Sequence, residues 1–262
     1  MRIALNTLVL KNYSALEAIQ AAKPFGAIEI NGRHLPPDTP LDIAQSILKD
    51  FEVIGIGAYT GGFTTGDHKL IIAELEKYVA IAQVVKAKGI RIYPGAPGSA
   101  QATKEEYKRA VMGLKKAAQI AAPIKLYFEL HHNDLADSAK SAVRLINDIE
   151  FENLGLILDP ANMYIANQDY LAEALHTLGS YLSLVHMKDI KRLEKDEPGA
   201  ICIDGVYYLH KLLGTGDLQL EALLTNLKEI GYQGYLSLEY HGEDADFNTV
   251  LREAAWLRER LK

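Results

Sequence analysis

Eight short apolar runs punctuate the chain, each followed by a longer segment whose apolar residues recur at helical spacing, and few folds accept such an alternation. The runs are Arg2–Leu5, Ala27–Ile30, Val53–Ala58, Ile90–Tyr93, Ile124–Glu129, Leu154–Leu158, Leu182–His186 and Tyr235–Glu239. Helices are expected near Ser14–Ala22, Leu41–Lys49, Lys69–Lys88, Lys104–Ala121, Leu135–Asn147, Tyr170–Leu178, Leu218–Ile230 and Asn248–Leu261. Gly89 is the expected stop of the third helix. Strands separated by helices pair in parallel. Eight of them in 262 residues predict an α/β fold, the (β/α)8 TIM barrel, as a single domain over residues 1–262. A doubly wound open sheet is the competing solution. No linker, low-complexity tract or composition shift divides the chain.

The net charge of −6 argues against binding phosphate backbones or anionic membranes. No apolar stretch approaches the roughly 18 residues that span a bilayer. Met1-Arg-Ile-Ala-Leu5 reads as a strand rather than a secretory leader. Cys202 is the only cysteine, so neither an intrachain disulfide nor a multi-thiolate metal site can form. A cytoplasmic protein is the expectation.

The connections fall into two kinds. Most are short, but about thirty residues separate His186 from Leu218, a length typical of lids and binding loops. Within them Ile201–Tyr208 reads as a hairpin turning at Asp204-Gly205. The loops Tyr59–Asp67 and Pro94–Thr103 are rich in glycine. All three belong on the barrel face where such folds build active sites.

Four successive strands end in a potential ligand: Tyr127-Phe-Glu129, Leu156-Ile-Leu-Asp159, Ser183-Leu-Val-His186 and Leu236-Ser-Leu-Glu239. Carboxylates gathered there are costly unless a cation neutralises them. Three carboxylates and one imidazole suit one divalent metal ion, Mn, Mg, Co or Zn. The metal-free alternative pairs them with Lys125, Lys188 or Arg192.

Phe128-Glu-Leu-His-His132, Leu158-Asp-Pro-Ala-Asn162, Val185-His-Met-Lys-Asp189, Leu213-Gly-Thr-Gly-Asp217 and Leu238-Glu-Tyr-His241 stand in an order and spacing that extend across nearly the whole chain. In these marks the sequence resembles the xylose-isomerase-like barrel superfamily. That group holds sugar-phosphate isomerases and epimerases, ketose 3-epimerases, hydroxypyruvate isomerases, inosose dehydratases and, more distantly, endonuclease IV. The resemblance implies that Glu129, Asp159, His186 and Glu239 hold the metal and that Glu129 and Glu239 serve as acid and base. It implies that Arg192, six residues after His186, contacts substrate. Asn162 stands where many relatives carry a histidine; it can hydrogen-bond a hydroxyl but cannot titrate near neutrality. This departure, with Asp204-Gly205-Val206 in place of an Asp-x-His, counts against an endonuclease.

The expected function is a metal-dependent sugar or polyol isomerase or epimerase. Proton transfer beside a carbonyl would pass through an enediolate. A dehydratase acting on an inosose is the first alternative; a phosphodiesterase like endonuclease IV and a non-catalytic sugar-binding barrel follow. The expected partner is a small keto-sugar or cyclic polyol, with no nucleic acid and no membrane. Relatives are often homo-oligomers, but no interface is legible in this chain. Lys188 is expected to assist electrostatically, and His131 to line the pocket. Glu29 is expected at the pocket mouth, and Tyr207 and Tyr208 as a substrate cap. Gly214-Thr-Gly216 is a weak phosphate-loop signal, more in keeping with a turn.

Overall fold

A computed structural model describes residues 1–262. The apolar runs become the staves of a closed parallel barrel: β1 (Arg2–Asn6), β2 (Ala27–Asn31), β3 (Glu52–Gly61), β4 (Gly89–Tyr93), β5 (Lys125–Glu129), β6 (Leu154–Leu158) and β7 (Leu182–Met187). The long connection then builds a separate sheet from β8 (Asp189–Leu193), β9 (Ile201–Ile203) and β10 (Val206–Lys211). The ring closes with β11 (Tyr235–Leu238), which pairs with β7 on one side and β1 on the other. The chain is therefore the α/β barrel that its alternating pattern predicts.

Helices α1 (Ala15–Ala21), α2 (Leu41–Leu48), α3 (His68–Val85), α4 (Lys104–Ala121), α5 (Ala139–Ile149), α6 (Pro160–Ile165), α7 (Ala172–Leu178), α8 (Leu220–Glu229) and α9 (Phe247–Arg260) fill the connections. Local chemistry sets their starts. Ser14 with Glu17, and Thr103 with Glu106, form reciprocal capping boxes that satisfy the first free amides. The end of α3 differs from expectation. The helix stops at Lys86 in the left-handed conformation, φ 55°, and Gly89 opens β4 instead. The glycine is there for packing: a side chain on it would overlap the Tyr127 ring.

That ring belongs to an enclosed layer inside the barrel, made by Ala4, Ala27, Ile54, Tyr127, Ile157, Leu184 and Tyr235. Small residues beside two tyrosines fill the space as interlocking large and small pieces. The layer also aims the site. Side chains two apart on a strand share a face. Ala27, Tyr127, Ile157 and Leu184 point inward, so Glu29, Glu129, Asp159 and His186 do too, one step nearer the strands' C-terminal ends.

The expected hairpin is present. β9 and β10 pair antiparallel across Asp204 and Gly205, both at positive φ as a two-residue turn requires. Its partner β8 was not anticipated. β3 overshoots the rim, and its register with β4 breaks between Gly57 and Gly61, so Tyr59 leaves the ladder and is 56% exposed. No helix is long and apolar enough to cross a membrane.

Candidate metal centre

Each ligand candidate is held by its own local structure. Asp159 follows β6 and caps α6: its Oδ1 accepts from the amides of Ala161 and Asn162, both at 2.9 Å, with Pro160 at the first helical position. The cap consumes one oxygen and leaves Oδ2 facing the barrel axis. The same turn brings Asn162 over Glu129, where its Nδ2 donates to Oε1 at 3.1 Å. Glu129 Oε2 accepts from Arg91 Nη1 at 2.6 Å and from the Tyr93 hydroxyl at 3.2 Å. Glu239 follows β11; its Oε1 accepts from Asn6 Nδ2 at 2.9 Å, and its Oε2 from Lys188 Nζ at 3.1 Å.

His186 stands at the centre. Its Nε2 lies 3.1 and 3.2 Å from the Glu29 oxygens, and Glu29 in turn accepts from Ser237 Oγ at 2.7 Å. This second carboxylate fixes the ring so that Nδ1 faces Glu239 at 3.0 Å, Glu129 at 3.3 Å and Asp159 at 3.7 Å. None of those approaches has hydrogen-bond geometry, and Nδ1 has no partner; Asp159 Oδ2 likewise completes no hydrogen bond. One ligand atom from each of Glu129, Asp159, His186 and Glu239 lies within 4.8 Å of the others, and all four residues are buried.

The electrostatics fit a cation. Four buried carboxylates, Glu29, Glu129, Asp159 and Glu239, meet two permanent cations, Arg91 and Lys188. With His186 neutral, two negative charges are left over, which one divalent ion balances. Burial opposes the charged form of Glu129, yet Arg91 and His186 hold its carboxyl well below the usual range. Glu239 follows the same course through His186 and Lys188. Burial would also strip the proton from His186, but Glu239, Glu29 and Glu129 hold it in place, so a metal must displace it. Of the three cations in the metal-free alternative, Lys188 alone pairs with the cluster: its Nζ lies 2.7 Å from Asp159 Oδ2 and 3.1 Å from Glu239 Oε2. Lys125 is exposed at the far end of β5, and Arg192 is exposed on β8.

A cavity of about 340 Å3 opens over the cluster; Glu129, Asn162, Lys188, Glu239 and His131 all line it. The structure therefore brings Glu129, Asp159, His186, Glu239, Asn162, Lys188 and His131 together and leaves Arg192, Tyr207 and Tyr208 outside the cavity. That arginine lines a different cleft, with Tyr164 and Tyr208, and its amide donates to Asp217. Glu29 is not at the mouth but beneath His186, 1% exposed. Tyr208 packs into the core rather than capping the cavity. The glycine loop is not a phosphate cradle: Gly214 and Gly216 both donate their amides to Asp189 Oδ2 at 2.9 Å. Sequence reasoning missed Asn6, Arg91, Tyr93 and His210. For Arg91 the signal was a charge in the middle of the apolar strand Gly89–Tyr93; for Asn6 it was a polar residue ending the first run. His210 and His241 line the same cavity, and burial keeps both imidazoles neutral, His210 near a pKa of about 3.

A family profile described as "Xylose isomerase-like TIM barrel" matches residues 16–260. Among curated proteins, the chain is 31% identical over 160 residues to the uncharacterized protein YihM of Escherichia coli (strain K12), covering 61% of this chain and 45% of that one. It is 24% identical over 144 residues to 3-dehydroshikimate dehydratase of Bacillus anthracis, covering 54% and 51%. It is 26% identical over 160 residues to L-ribulose 3-epimerase of Mesorhizobium japonicum, covering 59% and 48%. The chain thus spans about half the length of the curated relatives it matches. Two solved structures share the fold over the whole chain. One is the probable 3-DHS dehydratase AsbF of Bacillus anthracis, with TM-score 0.79, 20% identity and coverage of 98% and 99%. The other is the IOLI protein with a bound zinc atom, with TM-score 0.78, 20% identity and coverage of 100% and 98%.

Proposed function

Since the chain belongs to the xylose isomerase-like TIM-barrel family, we propose that it is a divalent-metal-dependent isomerase or epimerase acting next to the carbonyl of a keto-sugar or polyol ketone. The observation that carries this reading is the unpartnered Nδ1 of His186 among three buried carboxylates. The donor set of three carboxylates and one imidazole suits Mn, Mg, Co or Zn.

Glu129, Asp159, His186 and Glu239 would hold the ion, which when bound polarises a carbonyl and offsets negative charge developing on its oxygen. The side chains supply the rest. Glu129 and Glu239 approach the cavity from strands on opposite sides of β6 and β7. One takes the proton beside the carbonyl and the other returns a proton, to the opposite face for epimerisation or to the neighbouring carbon for isomerisation. Asn162, Arg91 and Tyr93 fix Glu129, and Asn6 fixes Glu239, so both carboxylates are oriented before substrate arrives. Asn162 and His131 donate to or accept from substrate hydroxyls, and His210 and His241 add neutral hydrogen-bonding edges.

A second reading, a lyase that removes water after the same deprotonation, is favoured by one observation. The ammonium of Lys188 is buried in the cavity 3.1 Å from Glu239 and can donate a hydrogen bond to a departing hydroxyl, while Asp159, Glu239 and Glu129 hold its proton firmly.

Elemental analysis of untagged protein tests the site: about one divalent ion per chain, lost in His186→Ala, is expected. Candidate ketones incubated in heavy water test the chemistry. Deuterium gained without loss of mass indicates isomerisation or epimerisation, and loss of water indicates the lyase. A wild-type protein that binds no divalent ion even after soaking overturns both readings.

A further inference from the structure

A wider cleft of about 650 Å3 opens from the cluster's cavity, between the loops that follow β3, β4 and β5 and the hairpin β9–β10. Tyr59, Tyr93, His131 and His132 line both spaces, so the two are continuous. Small-ligand sites occupy roughly 300–1,000 Å3. The inner cavity, at about 340 Å3, accommodates one sugar ring, and the pair accommodates two.

The chemistry of the outer cleft is one-sided. Asp134 and Asp204 line it, and no lysine or arginine does. A phosphate or carboxylate there would lose hydration without gaining a counter-charge. The amides of Gly214 and Gly216 offer no substitute, because Asp189 takes both. What the cleft does present is aromatic surface. The register break between Gly57 and Gly61 turns the Tyr59 ring outward, and the Arg91 guanidinium lies 5.6 Å from its centre. His131 and His132 stack at 4.3 Å on the same wall, with Tyr93 edge-on to His131 at 5.7 Å. Flat aromatic faces with polar edges suit the apolar face and hydroxyl rim of a neutral sugar ring.

We propose that the substrate is a keto-sugar carrying a neutral glycosyl extension, with the reacting ring beside His186 and the second ring against Tyr59 in the outer cleft. This rests on the keto-sugar reading above. The competing placement is an anionic substituent in a separate cleft, which Arg192 lines with Tyr164 and Tyr208.

The test uses metal-loaded protein and three matched probe sets: free ketohexoses, their O-glucosyl derivatives and their phosphate esters. Affinities come from calorimetry, and the contacted ring from saturation-transfer NMR. A glucosyl-ketose is expected to bind at least about tenfold tighter than its free ketose, with saturation on both rings, and Tyr59→Ala to remove most of that gain. Equal affinity of the free and glucosylated forms overturns the proposal and leaves the keto-sugar reading standing. So does saturation confined to the keto ring, or a preference for a phosphate ester that Arg192→Ala abolishes. Failure of every probe to bind overturns both. The wild-type NMR experiment decides even where Tyr59→Ala does not fold.

Discussion

At the N-terminal end of the barrel, Glu52 faces Arg2 and Lys88, accepts a hydrogen bond from Tyr235, and has both cations lying over the Tyr235 ring. At the C-terminal end, Glu29, Glu129, Asp159 and Glu239 face Arg91 and Lys188. The first group is wet: Glu52 is 37% exposed and Arg2 59%. The second is dry, with every member at most 4% exposed. The lower end has one carboxylate for two cations, and water screens the surplus. The upper end has a surplus of the other sign where water cannot help, and uncompensated buried charge costs several kcal/mol per ion. A fold can carry the first arrangement as a fastening between strands. It carries the second only when something else completes it.

The largest expected effects separate the two ends by activity. Glu129→Gln and Glu239→Gln each keep size but remove the proton acceptor and put an amide NH2 where an oxygen accepts a hydrogen bond, so deuterium exchange beside the carbonyl should fall on the order of 10²–10⁴-fold. Glu52→Gln should leave that rate unchanged; an equal loss there would mean that the barrel ends do not differ in role. Metal linkage comes next. At about one hundred times its dissociation constant, a divalent ion should raise unfolding free energy by about 2.7 kcal/mol, measured by denaturant titration with and without chelator. In His186→Ala the increment should vanish. An increment that survives in His186→Ala would place the ion elsewhere.

Much of this contrast was legible in the sequence, because period-two alternation tells which residues face inward and the last inward residue of a strand lies at the rim. Glu129, Asp159, His186 and Glu239 stand out as the residues that end four successive apolar runs, and the barrel is legible in the alternation of such runs with helical segments. Asn6 obeys the same rule but lies one residue beyond the expected end of its strand. Arg91 was overlooked because it interrupts the apolar run two residues before the rim; its place is set by Glu129, 38 residues later, which no local pattern encodes. The family resemblance put Arg192, six residues after His186, on substrate, but a matching position in the chain cannot foresee that β8 leaves the barrel and turns it outward. The glycine loop was ambiguous for the same reason: only the fold shows that Asp189 takes its amides.

A buried carboxylate outside both groups sharpens the comparison. Glu253 in α9 accepts from the Leu213 amide, is 1% exposed and forms no salt bridge; burial pushes its pKa up to about 8 against the weaker pull of Arg252. It escapes the cost of charge by keeping its proton. The folded value lies above the ordinary 4.5, so the associated stability is complete below that ordinary value and is lost as pH rises through about 8. Between about pH 6 and pH 7.5 the loss should approach roughly 2 kcal/mol, at 1.36 kcal/mol per unit. Glu253→Gln should flatten that decline in denaturant titrations; an unchanged slope would mean that the group is already ionised in the fold.

The smallest effect belongs to the wet end. Lys88 and Tyr235, with a smaller pull from Arg2, draw the Glu52 carboxyl below its ordinary pKa, so what it contributes is present near neutrality and lost as pH falls through the folded value. Exposure limits the size, because solvent-accessible pairs contribute about 0.2–1 kcal/mol and weaken with salt. Glu52→Gln should therefore cost under about 1 kcal/mol in low salt, and less in about 1 M NaCl, where the Debye length shrinks to about 3 Å. A loss of several kcal/mol that ignores salt would show that the lower cluster is dry after all. Excess buried charge would then no longer distinguish one end of this barrel from the other.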